Sequence, residues 1–119
     1  AETVRAAGEL GGEGAELAGA LDASWQRLVA VTGGMFGSGD IPAVMANSHV
    51  YLEAFGHIVV AWLWLEQFVA AAGKDGDFYQ GKRQAARYFF RFELPKTAPQ
   101  LDLLESLDRT TLEMRDAWF

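Results

Sequence analysis

The stretch Ala54–Gly73, AFGHIVVAWLWLEQFVAAAG, is apolar almost without a break and constrains the fold more than any other feature. A membrane-spanning helix needs about 20 consecutive, mostly apolar residues. The uninterrupted run is only IVVAWLWL, because Glu66 and Gln67 follow it and would lie in hydrocarbon at a high cost. No Lys or Arg lies shortly before the run to anchor it at a membrane surface. We therefore expect a buried helix of a soluble protein and no membrane partner.

The rest of the chain also has apolar residues at helical spacing, and no stretch alternates as a half-buried strand would. The predicted fold is all-α, an antiparallel (up-and-down) helix bundle of about four helices, with residues 1–119 forming a single domain. The predicted segments are a glycine-rich junction over 1–13, helices over 14–33, 41–72 and 77–94, and a helical C-terminal segment over 97–118.

Glycines, prolines and capping residues set these boundaries. The Gly33-Gly34 pair is expected to end the first helix, and Asp40 is expected to cap the second. Pro95 lacks an N–H and is expected to end or kink the third helix. Thr110 and Glu113 have the spacing of a capping box, which favours a last helix near the C-terminus.

Composition excludes several classes of function. The chain has a net charge of −6, which argues against a nucleic-acid partner, because contacts to phosphates need a basic surface. It has no cysteine, so disulfides and thiolate sites are excluded, and a cytoplasmic location is expected. It begins at Ala1 with no signal-peptide pattern, which suggests a processed chain or a piece of a longer one.

The second predicted helix is apolar almost all round. On a helical wheel its main apolar face carries Phe55, Val59, Trp62 and Val69, widened by Ile58 and Leu65. Val60 and Trp64 fall on the opposite side, among polar residues. These two side chains are the candidate interface, covered either by another protein or, alternatively, by a neighbouring helix of the same bundle.

Glu66 falls on the apolar side of the same wheel. A buried carboxylate usually finds a partner or takes up a proton, and Arg87 and Arg91 are the expected partners. A catalytic role for Glu66 is the alternative. Apart from that alternative, no catalytic residue is predicted, because Ser, Thr and His are too scattered to suggest a nucleophile–base pair.

Two further groups of side chains invite a functional interpretation. Arg83, Arg87 and Arg91 form a stripe that could clamp a phosphate or coenzyme A, or could be a solvated or salt-bridged face, and the acidic composition favours the second interpretation. His49, Glu53 and His57 share a helix face, but the two histidines are about 12 Å apart along the axis, too far to share one ion. No metal site and no bound cofactor are predicted in this chain.

Two stretches together resemble a known family. ANSHVYLEAFGHIVVAWLWLEQFVAAA (Ala46–Ala72) has an Asn, then Tyr-Leu, then Phe-Gly, then an apolar helix with Trp-Leu. FYQGKRQAARYFFRFELPKTAPQL (Phe78–Leu101) has a Lys, an Ala-Arg-aromatic-Phe cluster and Leu-Pro. Together they resemble the C-terminal helical domain of bacterial acyl-CoA dehydrogenases, the acetyl-CoA dehydrogenase-like C-terminal domain.

The resemblance implies a tail of a flavoenzyme that oxidises acyl-CoA to 2,3-enoyl-CoA, with FAD and the acyl-CoA substrate bound by upstream domains. The partners it implies are those upstream dehydrogenase domains, alone or together with a second subunit. The chain would then be a structural and assembly domain without catalytic residues of its own. The alternative is a stand-alone helical module that binds a partner helix or an apolar ligand.

Overall fold

The regular secondary structure of the chain is helical throughout in the computed structural model, which describes all of residues 1–119. The absence of any strand confirms the predicted all-α class. The six α-helices are α1 Glu2–Glu9, α2 Gly12–Gly37, α3 Ile41–Ala46, α4 Ser48–Ala71, α5 Asp77–Tyr88 and α6 Thr97–Glu105.

Helix α4 lies at the centre, in contact with α1, α2, α5 and α6. It runs antiparallel to α2, because Tyr51 near its start bonds to Thr32 late in α2, and Phe55 packs on the earlier Trp25. The chain from α5 to α6 runs parallel to α2, since Arg87 of α5 bonds to Glu13 at the start of α2 and Glu105 of α6 bonds to Arg27 further along it. This up-and-down arrangement is the helix bundle predicted from the sequence.

The N-terminal residues form a helix, so the predicted junction over 1–13 is wrong. Helix α1 buries Ala7 completely and packs on α2 and α4. The glycines make the turn instead, with positive φ at Gly11 and Gly12. A Cβ at Gly14 would lie 2.8 Å from the carbonyl oxygen of Ala7, so α1 crosses α2 at a point that only glycine permits.

Helix α2 continues through the Gly33-Gly34 pair to Gly37, so the predicted end at residue 33 is wrong. Each glycine costs a helix only about 1 kcal/mol, so the pair costs about 2 kcal/mol. Burial of the Met35 side chain in the core offsets much of that cost. The turn follows at Gly39, which has a φ of 73°.

The predicted helix over 41–72 is broken at Asn47 into α3 and α4. The predicted cap at its start is confirmed, since the Asp40 carboxylate accepts a bond from the Ala43 N–H at 3.2 Å. The break has a chemical reason. The buried Asn47 amide Nδ2 donates at 2.8 Å to the carbonyl oxygens of both Ala43 and Asp108, which ties the start of α4 to the C-terminal segment.

The last two predicted helices also differ from the observed ones. Helix α5 ends at Tyr88 and passes into a π-helical turn, Phe89–Glu93, and a 3₁₀ turn, Leu94–Lys96, which confirms the expected distortion at Pro95. Helix α6 ends at Glu105, not at residue 118, because Leu107 takes a positive φ of 49° that stops a right-handed helix.

No capping box forms in the C-terminal segment. The Thr110 N–H instead bonds to Asp108 at 3.0 Å, and Glu113 accepts from Arg109 at 3.1 Å. Only a short 3₁₀ turn, Asp116–Trp118, follows. The predicted last helix is thus absent. Leu107 ends α6, and Asn47 ties the segment that follows to the junction of α3 and α4.

The hydrophobic core uses a different stripe of α4 from the one predicted. The buried residues at helical spacing are Ala54, Ile58, Ala61, Leu65 and Phe68. Of the predicted face, Phe55 and Trp62 stay well exposed, while Ile58 and Leu65 do belong to the core. The reason is steric. Ala54 and Ala61 let neighbouring helices approach closely, which the larger side chains one position along would prevent.

By length and composition alone, α4 is also the one helix of the chain that could cross a membrane. In its most apolar 18-residue window, 33% of the residues are buried inside the bundle. Four other helices pack against it, and it carries Glu53, His57 and Glu66. We interpret α4 as the central helix of the bundle.

Candidate interaction surface

An apolar groove opens between α1, α2 and α4. Its volume is about 290 Å³, and eight of its nine lining residues are hydrophobic. The lining residues of this groove are Ala1, Val4, Leu21, Asp22, Trp25, Phe55, Ile58, Val59 and Trp62. Trp25, Phe55 and Trp62 are 37–44% exposed, so the groove presents aromatic surface to solvent.

The aromatic side chains of the groove are held in place by defined contacts. Trp25 and Phe55 meet edge to face, with ring centroids 6.4 Å apart. The Trp62 indole Nε1 donates to the Thr3 hydroxyl at 3.0 Å, and that hydroxyl can donate to Glu66 at 3.4 Å. Helix α1 therefore orients the Trp62 ring at one wall of the groove.

The apolar surface continues beyond the groove along the same two helices. Val29 lies one turn after Trp25 on α2, and Leu52 lies one turn before Phe55 on α4. Both are exposed. We call the five residues Trp25, Val29, Leu52, Phe55 and Trp62 the apolar strip. A contiguous apolar surface of this kind is typical of a protein–protein contact.

The charges beside the apolar strip are negative. Asp22 is the only charged side chain in the groove lining, and Glu66 follows Trp62 by one turn. Neither carboxylate has an ion-pair partner in this chain. The lining contains no Lys or Arg. The rim of the groove therefore has acidic groups that pair with no Lys or Arg side chain of this chain.

The two residues predicted as an interface lie outside this groove. Trp64 packs against the core and is half-buried, with the Lys82 ammonium 5.8 Å from its ring centroid. Val60 is 39% exposed. Cover by a neighbouring helix thus accounts for part of Trp64, and a contact of Val60 with another protein stays a prediction.

Glu66 is exposed, so the prediction that it is buried and paired with Arg87 or Arg91 is wrong. The core stripe of α4 passes through Leu65 and Phe68, which turns Glu66 outward beside α1. Its carboxylate remains in water and needs no buried partner.

Arg87 instead makes a two-pronged ion pair with Glu13 at the start of α2. The Nε and Nη2 atoms of Arg87 donate to the Glu13 carboxylate at 2.7 and 2.8 Å. Hydrogen bonding to Arg87 holds the pKa of the Glu13 carboxyl below its ordinary value of 4.5. This pair fastens α5 to α2.

The other two arginines of the stripe differ from each other. Arg83 donates to the carbonyl oxygens of Ala71 and Lys74 and so caps the C-terminal end of α4. Arg91 is exposed and has no ion-pair partner. Of the three guanidinium groups, only that of Arg87 is salt-bridged and that of Arg91 is solvated, while Arg83 bonds to backbone carbonyl oxygens. None of the acceptors is an acidic residue near the C-terminus.

The two histidines of α4 do not converge. His49 lies 3.9 Å from Glu53, whereas His57 Nε2 faces Glu93 at 3.4 Å. Lys96 also bonds Glu93 and, together with His57, holds the pKa of that carboxyl below its ordinary value. No group of three or more metal-binding side chains comes together in the chain.

The sequence-based interpretation missed the groove and the role of Trp25. A helical wheel shows which residues share a face but not which face meets the core. The sequence did contain an indication of the groove, the aromatic residues Trp25 on one long helix and Phe55 on the next. Antiparallel packing of the two helices brings these side chains opposite each other.

Comparison with protein families shows which family the chain belongs to. The family model described as "Acetyl-CoA dehydrogenase C-terminal like" matches residues 1–115. The chain belongs to this family. The match includes α1 and α2 as well as the two stretches, Ala46–Ala72 and Phe78–Leu101, that carry the sequence resemblance.

A curated relative agrees with the acetyl-CoA dehydrogenase C-terminal-like assignment. It is the broad-specificity linear acyl-CoA dehydrogenase FadE5 of Mycobacterium tuberculosis, 31% identical over 77 residues. The match covers 58% of this chain and 13% of the relative, so this chain corresponds to a small part of that protein. Comparison with solved structures finds no significant match.

Proposed function

We propose that this chain is the C-terminal structural and assembly domain of an FAD-dependent acyl-CoA dehydrogenase. The observation that carries the proposal is the family match over residues 1–115. The parent enzyme would convert acyl-CoA to the 2,3-enoyl-CoA in the cytoplasm, with neither a membrane nor a nucleic acid as partner. The net charge of −6 supports the exclusion of nucleic acid.

The shape of the chain supports a role in assembly. The Cα extents are 61 × 29 × 15 Å, and the radius of gyration is 17.6 Å. A compact chain of this length has a radius of gyration of about 13–14 Å. Only 23 of 119 residues are buried. A flat, elongated helical layer of this kind gains much of its cover when it packs against a larger body.

The contact surfaces in this proposal are the apolar strip together with Val60 and Trp64. The partners are the upstream dehydrogenase domains, alone or together with a second subunit.

FAD does not fit the groove. The isoalloxazine and adenosine groups together with two phosphates need a larger site with phosphate donors, but the groove measures about 290 Å³ and its lining has no Lys or Arg. We therefore assign FAD and the acyl-CoA substrate to the rest of the parent enzyme, and no catalytic, cofactor-binding or metal-binding residue to this chain.

The first test is the open reading frame that encodes this chain, which should contain a dehydrogenase body upstream. The second is a titration of the isolated chain with FAD and with an acyl-CoA, followed by calorimetry, where we expect no binding of either. Tight binding of FAD or acyl-CoA to the isolated chain would contradict the assignment of those sites to the upstream domains.

The alternative is a stand-alone helical module that binds a partner helix or an apolar ligand. The open groove favours this alternative, because its lining is almost entirely hydrophobic. Its volume of about 290 Å³ is enough for a small apolar ligand, since small-molecule sites begin at about 300 Å³. An open reading frame that encodes only this domain would support the module and exclude the assembly domain.

A further inference from the structure

We infer that the groove binds one amphipathic helix of the dehydrogenase body, with bulky apolar side chains inserted between Trp25 and Trp62 and at least one Lys or Arg beside Asp22 and Glu66. The inference rests on the function proposed above and specifies the partner. It places the main contact on the apolar strip, on a different side of α4 from Val60 and Trp64.

The lining favours side chains of another protein element. Eight of the nine lining residues are hydrophobic, and three of them are half-exposed aromatics held by edge-to-face packing and by the bond from Trp62 to Thr3. An open apolar groove between two helices is the usual receptor for the apolar face of a third helix. Aromatic anchors in such a groove supply a large share of binding energy.

The charges favour a basic partner over a second copy of this chain. Asp22 and Glu66 flank the groove without counter-ions. Two copies that met through this surface would bring the same carboxylates together, and like charges across an interface are repulsive. A helix that carries Lys or Arg next to its apolar face would be attracted to the same rim.

The test uses the full-length enzyme with a photo-crosslinking benzoylphenylalanine at position 55, which replaces one aromatic side chain by another. Mass spectrometry should identify a crosslinked peptide of the dehydrogenase body that contains apolar residues and Lys or Arg. The control places the same group at Phe78, which is exposed on α5. It should not link to that peptide.

Two charge-reversal variants, one test and one control, examine whether the partner is basic. D22K should lower the crosslinking yield at position 55 by about fivefold, the effect of losing one surface ion pair. E16K is the matched control on the same helix, because Glu16 is exposed and outside the groove lining. It should leave the yield unchanged. Both residues are exposed and unpaired, so both variants should fold.

Other results would overturn the inference. Crosslinks from position 55 to a second copy of this chain, to a segment without basic residues, or to no protein at all would each exclude the basic helix. If the dehydrogenase body is present but the crosslink does not reach it, only this inference fails. If the open reading frame contains no dehydrogenase body, the proposed function fails with it.

Discussion

Asn47 determines where the second half of the fold begins and where the C-terminal segment is attached. Its buried amide donates to the carbonyl oxygens of Ala43 and Asp108, both at 2.8 Å. One side chain thus ends α3 and fixes a residue 61 positions further along the chain. Without it, two carbonyl groups would lose their partners.

We expect N47A to lower the free energy of unfolding by about 2 kcal/mol, because two hydrogen bonds from a buried amide are lost. Urea unfolding followed by circular dichroism measures the change. Hydrogen exchange should also become faster over residues 107–118. S48A is the control, since Ser48 is exposed, and a surface change of this kind costs less than about 0.5 kcal/mol. Equal stability of the two variants would show that the amide is dispensable.

The Glu13–Arg87 pair predicts a pH dependence of stability. The pKa of Glu13 is lowered in the folded state by its bond to Arg87, so below about 4.5 the unfolded chain binds more protons than the folded one. The stabilisation from this pair is therefore complete at neutral pH and is lost as the pH falls from 4.5 through the folded pKa.

We expect E13Q to cost about 1 kcal/mol at pH 7, a modest value because the pair is a third exposed to solvent. The difference between wild type and E13Q should shrink as the pH is lowered through 4.5 and then through the lower pKa of the folded state. Unfolding curves at several pH values measure it. E16Q serves as control, since Glu16 has no ion pair. A difference that does not vary with pH would exclude the linkage.

At the scale of the elements, the crossing of α1 over α2 depends on Gly14. A Cβ at this position would meet the Ala7 carbonyl oxygen at 2.8 Å, whereas a Cβ at Gly19 would meet nothing within 4 Å. We expect G14A to destabilise the fold by at least about 1 kcal/mol, because the backbone of α1 must move away. G19A should instead stabilise by about 0.5–1 kcal/mol.

Thermal unfolding of the two glycine variants provides the measurement, and the sign of the difference is decisive. Both changes replace a glycine of α2 by alanine, so helix propensity contributes equally to both. If G14A were as stable as G19A, α1 would not pack on α2 as described.

The sequence predicted where helical segments lie better than where they are broken. Apolar spacing was sufficient to find the long helices, because a helix buries a periodic stripe whatever its neighbours are. The break at Asn47 and the extension past Gly33 depend on tertiary contacts, with Asp108 in one case and the core around Met35 in the other. Local propensity cannot report contacts between distant residues.

The candidate surface illustrates the same limit. The wheel placed Phe55 and Trp62 on the face expected to be buried, and the groove lies on that face because the core selected the neighbouring stripe with Ala54 and Ala61. The predicted pairing of Glu66 failed for the same reason. The small residues Ala54 and Ala61 indicated in the sequence that the closest helix contact would lie one position before Phe55 and Trp62.

At the scale of the whole molecule, a layer only 15 Å thick with 23 of 119 residues buried should be more stable when it is covered. We expect the backbone amides of α4 to exchange with solvent more slowly in the full-length enzyme than in the isolated chain. Hydrogen exchange followed by mass spectrometry compares the two. Amides of the Asp116–Trp118 turn serve as internal reference. Equal protection of α4 in both proteins would exclude a stabilising contact on this layer.

The π-helical turn at Phe89–Glu93 changes the register of everything that follows it. Because such a turn holds one residue more than an α-turn, later residues are rotated by about 100° relative to an unbroken helix. Leu94, which follows the π-helical turn directly, reaches the core in this rotated frame. A homologue lacking one residue of the turn would align with this chain only across a one-residue gap. Identity computed without that gap would understate how closely the two chains are related.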